Sequence, residues 1–351
     1  MRIAHLIWSL GIGGAQTMLA DIVNIQVQKG HEVGIFVLDS LISNTIINKL
    51  DSRVKVFYMG RRRDHKNIMP FIRLNLELWR YKPDIIHSHA GKLINALLTN
   101  VPKVATIHNT NLNINNYKKY QKLYAISLAV NDDWINRGGK NTIIIENGIP
   151  INLIKQKNVW HITDDIHIVQ VSRIFFQQKR QDLIVQALAK IKEMYNNHKI
   201  RRKCILHFVG SGVDFDRLRR LVKDLGVEDF VVFEGQKDRS WIYEHLCDFD
   251  LFVQASDFEG FGLTVAEACA AKLPVLVSDI QGPLEIIDGG KLGLTFKKGD
   301  ADDLALQMSK FINGEYDYTL IEKAYKRITQ KYSIEETVQK YIDEYHKVIN
   351  K

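Results

Sequence analysis

Two acids flank a glycine turn in SDFEGFGLTVAEACAAKLPVLVSD, residues 256–279. Glu259 lies in a glycine loop, and Glu267 lies in the apolar helical stretch that follows. A carboxylate at the C-terminal end of a sheet strand meets ligand hydroxyls, and the backbone amides of Gly262 and Leu263 would face a phosphate. Thr264 to Glu267 also spells T-x-x-E, a capping box in which Glu267 would only stabilise its own helix. Upstream, VSRIFFQQKRQD places Arg173 and Lys179 on a strand-to-helix loop, where two cations can neutralise a diphosphate as charge develops on a leaving group. Near the start, GIGGAQ follows the first strand, and its glycines let backbone amides approach an anion. As a dinucleotide fingerprint it is imperfect, because Gln16 stands where a third small residue belongs, although Asp39 at the end of the second strand would suit a ribose. Anion binding is favoured there, and a nicotinamide-dependent dehydrogenase remains an alternative.

These groups need a scaffold that brings loops to one sheet edge. Strand and helix patterns alternate from IAHLIW through EVGIFVLD, KVFY, DIIHSH, KVATIH, YAISLAV and NTIIIENGIP, with helices expected near Thr17–Gln28, after Pro70, around Leu93 and at Asp132. The polar stretch NLIKQKNVWHITDD reads as a linker, after which the alternation restarts with IHIVQVS and runs to LPVLVSD. The expected fold is α/β with two Rossmann-like doubly wound domains, 1–155 and 156–332, and a terminal helix over 333–351 that packs back toward the first. A chain of 351 residues is long enough for two cores.

Of the net charge of +8, residues 61–122 carry +9, twelve Lys and Arg against three acids, so the remainder sums to −1. The excess begins at Arg61, Arg62 and Arg63 and continues into a segment with Ile68, Ile72, Leu76 and Trp79 on one helical stripe. The stripe is expected in the core, with the arginine loop as a peripheral anchor on an anionic membrane. No stacking motif or recognition helix accompanies the charge, so nucleic acid is not expected. Arg2 and the uncharged run after it superficially resemble a signal peptide, but His5, Gln16 and the glycines interrupt it, and a cytoplasmic protein is expected. Cys204, Cys247 and Cys269 lack metal-ligand spacing. Three Asp-x-Asp pairs, at 214/216, 248/250 and 300/302, fall at element edges where acids cap helices. His87 and His89 share one strand face and with His108 could suggest a metal, but two histidines at a strand end read as polar residues lining a cleft, and no metal is expected.

The run E-G-F-G-L-x-x-x-E-A, then A-x-x-P-V and G-P-x-E-I, resembles the retaining glycosyltransferases of family 4. GIGGAQ, DIIHSH, ATIHN, IIIENGI, VSRIFFQQK, LHFVGSG and VVFEG match that family in order along nearly the whole chain. The resemblance implies a GT-B fold, two domains facing a central cleft, and metal-independent transfer of a hexose or N-acetylhexosamine from a UDP- or GDP-sugar. The acceptor would be a surface polysaccharide, lipopolysaccharide or lipid-linked oligosaccharide bound over the first domain, with the donor on the second. It implies Glu259 for sugar hydroxyls, Glu267 for ribose, Arg173 and Lys179 for the diphosphate, and His108 near the donor sugar. Gly13 and Gly14 would lie near phosphate, with Gly260, Phe261, Gly262 and Leu263 forming the donor loop. Lys272 and Arg180 stand where the family pattern has glycine, so either Lys179 or Arg180 could meet the diphosphate. A nucleotide-sugar epimerase of the same overall fold is the other alternative.

Overall fold

The structure, a computed structural model, describes residues 1–11, 13–62, 67–160 and 165–350. Arg63 lies outside the described residues. Two compact units separate: Met1–Pro150 with the segment from Tyr332 onward, and Ile151–Lys331.

The first unit holds seven strands: β1 (Arg2–Ile7), β2 (Glu32–Asp39), β3 (Lys55–Arg61), β4 (Ile85–Ser88), β5 (Lys103–Ile107), β6 (Lys122–Ala125) and β7 (Ile143–Ile144). All pair in parallel, in the order β3-β2-β1-β4-β5-β6-β7. Central strands read as nearly continuous apolar runs because helices cover both faces. On one face Ile3, Ile85 and Val104 pack with Met18 and Ile22 of the helix Gly14–Gln28 and with Val338, Tyr341 and Tyr345 of the terminal helix Ile334–Ile349. On the other, Ala4, Leu6 and Ile86 pack with Leu74, Leu78 and Tyr81 of the helix Met69–Tyr81.

The second unit has six strands: β8 (Ile166–Val171), β9 (Cys204–Val209), β10 (Val231–Gly235), β11 (Leu251–Gln254), β12 (Val275–Ser278) and β13 (Leu294–Phe296). Again all are parallel, in the order β10-β9-β8-β11-β12-β13. In each sheet the chain runs outward on one side and then crosses back, so strand order reverses between β1 and β4 and between β8 and β11. Ligands of open α/β sheets bind outside the carboxyl ends of strands at such points.

Several expectations change. The stripe of Ile68, Ile72, Leu76 and Trp79 is exposed, and the helix buries Pro70, Leu74, Leu78 and Tyr81 instead. That helix is apolar on two faces, so sequence periodicity alone did not choose between them. Around Leu93 only a 3₁₀ segment forms, Gly91–Ala96. Asn75 explains the stop: its amide donates to Ala96 O at 2.7 Å and its carbonyl accepts from Leu98 N at 2.7 Å, diverting groups that would extend a helix. YAISLAV splits, with β6 ending at Ala125 and Ser127 capping the helix Leu128–Asn136 by accepting from Val130 N. Residues 151–160 are docked on the second unit: Lys155 N donates to Tyr243 O and Lys157 N to Ala271 O, both at 2.9 Å. Among the Asp-x-Asp pairs, Asp300 caps the helix Ala301–Ile312, Asp214 accepts from Phe176 N, and Asp250 binds Lys157.

Candidate functional site

At the carboxyl end of β8 the chain turns through Ser172–Phe175 and makes one helical turn, Phe176–Lys179. Arg180 then adopts a left-handed conformation, φ 50°, and opens the helix Gln181–Asn196. The buried amide of Gln181 ties this loop together, donating to Ser172 Oγ at 2.9 Å and Arg173 O at 3.0 Å and accepting from Phe175 N at 3.2 Å.

The loop after β11 is bound directly to it, because Asp257 N donates to Gln178 O at 2.8 Å. The Lys179 ammonium pairs with the Glu259 carboxylate, and both side chains are largely buried. Arg180 is held by two other acids, Asp182 and Asp257, each at 3.2 Å. Arg173 is exposed, lies 5.2 Å over the Phe175 ring, and has no carboxylate partner among the described residues. Lys179 rather than Arg180 is therefore the cation beside Glu259.

Gly262, φ 107°, is the N-cap of the helix Leu263–Ala270, a conformation that favours glycine. Helix N-terminal amides lack intrahelical acceptors, so this end presents donors. The motif G-P-x-E-I backs the loop: a Cβ on Gly282 would sit 2.6 Å from Glu259 O and 3.0 Å from Phe261 O. The capping box does not form, since Thr264 lies inside the helix rather than at its cap. Glu267, 5% exposed, instead accepts from Arg239 at 3.1 and 3.2 Å and from Tyr243 Oη at 3.3 Å.

In the first unit Gly13 precedes the helix Gly14–Gln28 at the end of β1, in extended backbone with φ 179°. Asp39 pairs with Arg61 at 3.0 Å, and that guanidinium also lies 5.3 Å over Trp8; Arg62 is exposed. Beneath the loops is a histidine cluster. His5 on β1 is in register with His87 on β4, and His89 follows two residues on. His5 Nε2 meets Gln26 Oε1 at 2.8 Å, His5 Nδ1 meets His89 Nε2 at 3.0 Å, and His89 Nδ1 meets His108 Nε2 at 2.9 Å. His87 lies between Thr106 Oγ1, at 2.7 Å, and the Tyr345 hydroxyl, at 2.5 Å. Burial pushes His5 and His108 down to about 4 and holds His87 and His89 well below the ordinary imidazole range. His5, His87 and His89 are close enough to share a metal ion, but each of their ring nitrogens already has a polar partner. A small concavity elsewhere in the first unit, lined by Tyr117, Trp134 and Lys122, includes none of these residues.

Residues 153–331 match the profile of the family described as Glycosyl transferases group 1. The chain belongs to that family. Residues 12–153 match a second profile, Glycosyltransferase Family 4. Among curated relatives of this group 1 glycosyltransferase, N-acetyl-alpha-D-glucosaminyl L-malate synthase of Bacillus anthracis is 31% identical over 185 residues, 52% of this chain and 45% of that one. Lipopolysaccharide 1,6-galactosyltransferase of Escherichia coli K12 is 28% identical over 234 residues, 64% of this chain and 60% of the relative. The matches thus span about half the length of these relatives. Solved structures share the fold across nearly the whole chain. A glycosyltransferase from Rickettsia africae gives a TM-score of 0.81 at 18% identity, covering 99% of this chain and 98% of its own. Anabaena HepE in complex with UDP and glucose gives 0.79 at 19%, covering 97% and 98%. The GT-B fold implied by the motifs is therefore shown.

Sequence reasoning placed Glu259, Lys179 and the glycine loop together but missed the partners. Arg239 and Tyr243, four apart on the helix Arg239–His245, carry an i, i+4 signal that would have put them on one face. His5 shares its parity with Ile3, which places it on the face of β1 that packs against the helix Gly14–Gln28.

Proposed function

We propose that the chain is a retaining glycosyltransferase that moves a hexose or N-acetylhexosamine from a nucleoside diphosphate sugar, UDP before GDP, to a glycan or lipid-linked acceptor. The observation that carries this reading is the Lys179–Glu259 pair at the β8/β11 switch point, beside the N-terminus of the helix Leu263–Ala270. Cation, carboxylate and helix amides supply what diphosphate and sugar hydroxyls require. Fold neighbours support UDP: Anabaena HepE forms a complex with UDP and glucose, and Staphylococcus aureus TarM one with UDP and alpha-GlcNAc-glycerol.

In this reading Arg173 and Lys179 hold the diphosphate, and the amides of Gly262 and Leu263 add neutral donors. Glu259 accepts hydrogen bonds from sugar hydroxyls, and Glu267, oriented by Arg239 and Tyr243, meets the ribose. The bond from the anomeric carbon to the phosphate oxygen breaks, and a bond to the acceptor oxygen forms on the same face. The acceptor proton passes to the departing phosphate, which is why no side-chain general base is assigned. Gly13 and Gly14 would contribute amides near phosphate, and His108 would face the donor sugar. Screening UDP- and GDP-sugars for thermal stabilisation, then measuring acceptor-free hydrolysis of the hit, tests this; stabilisation by none of them would contradict it.

The acceptor side is proposed to rest on an anionic membrane. Ile68, Met69, Ile72, Leu76 and Trp79, the last 74% exposed, form an apolar face on a helix that also exposes Arg73 and Arg80, and Arg62 is exposed upstream of it. The +9 excess of residues 61–122 complements anionic headgroups, and the apolar face suits insertion at their level. No described helix is long and apolar enough to cross a membrane.

A further inference from the structure

The histidine chain has a direction. A neutral imidazole carries one N–H, so each ring in a hydrogen-bonded row donates at one nitrogen and accepts at the other. With the Gln26 amide oriented so that Oε1 faces His5 Nε2 and its own Nε2 is buried without a partner, His5 is protonated at Nε2 and bare at Nδ1; the opposite amide orientation would turn the row round. His89 must then donate from Nε2 to His5 and accept at Nδ1 from His108 Nε2. The row ends at His108 Nδ1, which is shut from water and has no hydrogen-bond partner. Reversing His108 alone would break its bond to His89, so its tautomer changes only if His5, His89 and the Gln26 amide all reverse with it.

We propose that Gln26, His5 and His89 are positioning residues that fix His108 as its Nε2–H tautomer, so that a donor-sugar hydroxyl meets a bare Nδ1 lone pair. This rests on the reading of His108 as a donor-sugar residue. His108 as a residue is partly exposed while its Nδ1 is covered, so a hydroxyl that displaces the cover gains a hydrogen bond that Nδ1 otherwise lacks. With the opposite tautomer the same position would present an N–H, and an orphaned acceptor would become an orphaned donor. The four groups come from three strands or their ends and one helix, all meeting at the β1/β4 switch point, so the row is a feature of the assembled sheet. The neutral state it needs is the one that burial imposes on all three rings.

The test is two-bond ¹H–¹⁵N correlation of the full chain with ¹⁵N-labelled histidine at neutral pH, with the His108 signals assigned by their loss in H108Q. Wild type is expected to show His108 protonated at Nε2 and bare at Nδ1. His89→Leu should lose the single tautomer and weaken binding of UDP-glucose, UDP-galactose or UDP-N-acetylglucosamine, relative to UDP, by about tenfold. His89→Gln, whose amide can still donate to His5 and accept from His108, should restore both. Protonation at Nδ1 in the wild type, or H89Q behaving as H89L, overturns the proposal. The wild-type spectrum decides the direction even if H89L does not fold. A correct tautomer whose signals move with none of the three sugars removes the sugar from His108 and leaves the relay supported.

Discussion

Lys179 and Glu259 neutralise each other across the two loops that end β8 and β11. In the proposed reading a donor diphosphate would replace the Glu259 carboxylate beside Lys179, and Glu259 would then be available to the sugar.

Glu259→Gln should therefore separate the two halves of the donor. UDP affinity is expected to stay level or tighten by about fivefold, since the lysine no longer has a competing carboxylate, while turnover of the UDP-sugar falls by about 10²- to 10³-fold. Calorimetry with UDP alongside steady-state transfer reads both. Equal losses in UDP affinity and turnover would place Glu259 on the nucleotide instead.

Glu267 is expected to have a structural and a binding role together. Its carboxylate faces a largely buried Arg239, so Glu267→Ala removes a close carboxylate partner of that charge and should cost about 3 kcal/mol of stability. Glu267→Gln keeps the shape and should fold with a smaller loss, while UDP binds about tenfold more weakly through its ribose. Urea unfolding and UDP titration of both variants check this; full UDP affinity in Glu267→Gln would confine the residue to holding Arg239.

The contrast between these two acids shows what was legible in the sequence. Glu259 sits in a loop whose glycines and position after a strand announce a site. Glu267 lies on an apolar helix, and its partners come from a helix that begins 28 residues earlier, at Arg239. Parallel alternation gave both sheets, because buried strands and amphipathic helices differ in period. The helix Met69–Tyr81 defeated the same logic by carrying two apolar faces. Lys272 and Arg180, which replace family glycines, both adopt left-handed backbone, φ 58° and 50°. The Lys272 ammonium pairs with Glu322 at 2.5 Å and lies 4.8 Å over Tyr325.

Replacing Trp79 and Leu76 by serine should leave the fold intact, because neither is in the core. Cosedimentation with phosphatidylglycerol vesicles is expected to drop by about tenfold or more, and wild-type binding should weaken with salt. Undiminished sedimentation of the double variant would remove the helix face from the membrane contact.

Acid should destabilise the first unit. His5 and His108 fall from the ordinary 6.5 to about 4 when folded, and His87 and His89 are lowered too, in each case chiefly by burial. The unfolded chain binds these protons first, so stability is full above about pH 6.5 and is lost as pH falls toward about 4. Each ring contributes a slope of up to about one proton, and His89→Gln should remove one. Urea midpoints measured between neutral pH and the onset of acid unfolding test this; a flat profile would mean the histidines are not held neutral.

The most direct test of the central claim is transfer itself: wild type and Glu259→Gln incubated with the stabilising UDP-sugar and a membrane-derived glycan acceptor, with the product anomer read by NMR. The account predicts one glycoside with the donor's anomeric configuration, formed by the wild type and nearly absent with Glu259→Gln. An inverted product, an epimerised nucleotide sugar without transfer, or wild-type rates from Glu259→Gln would contradict it.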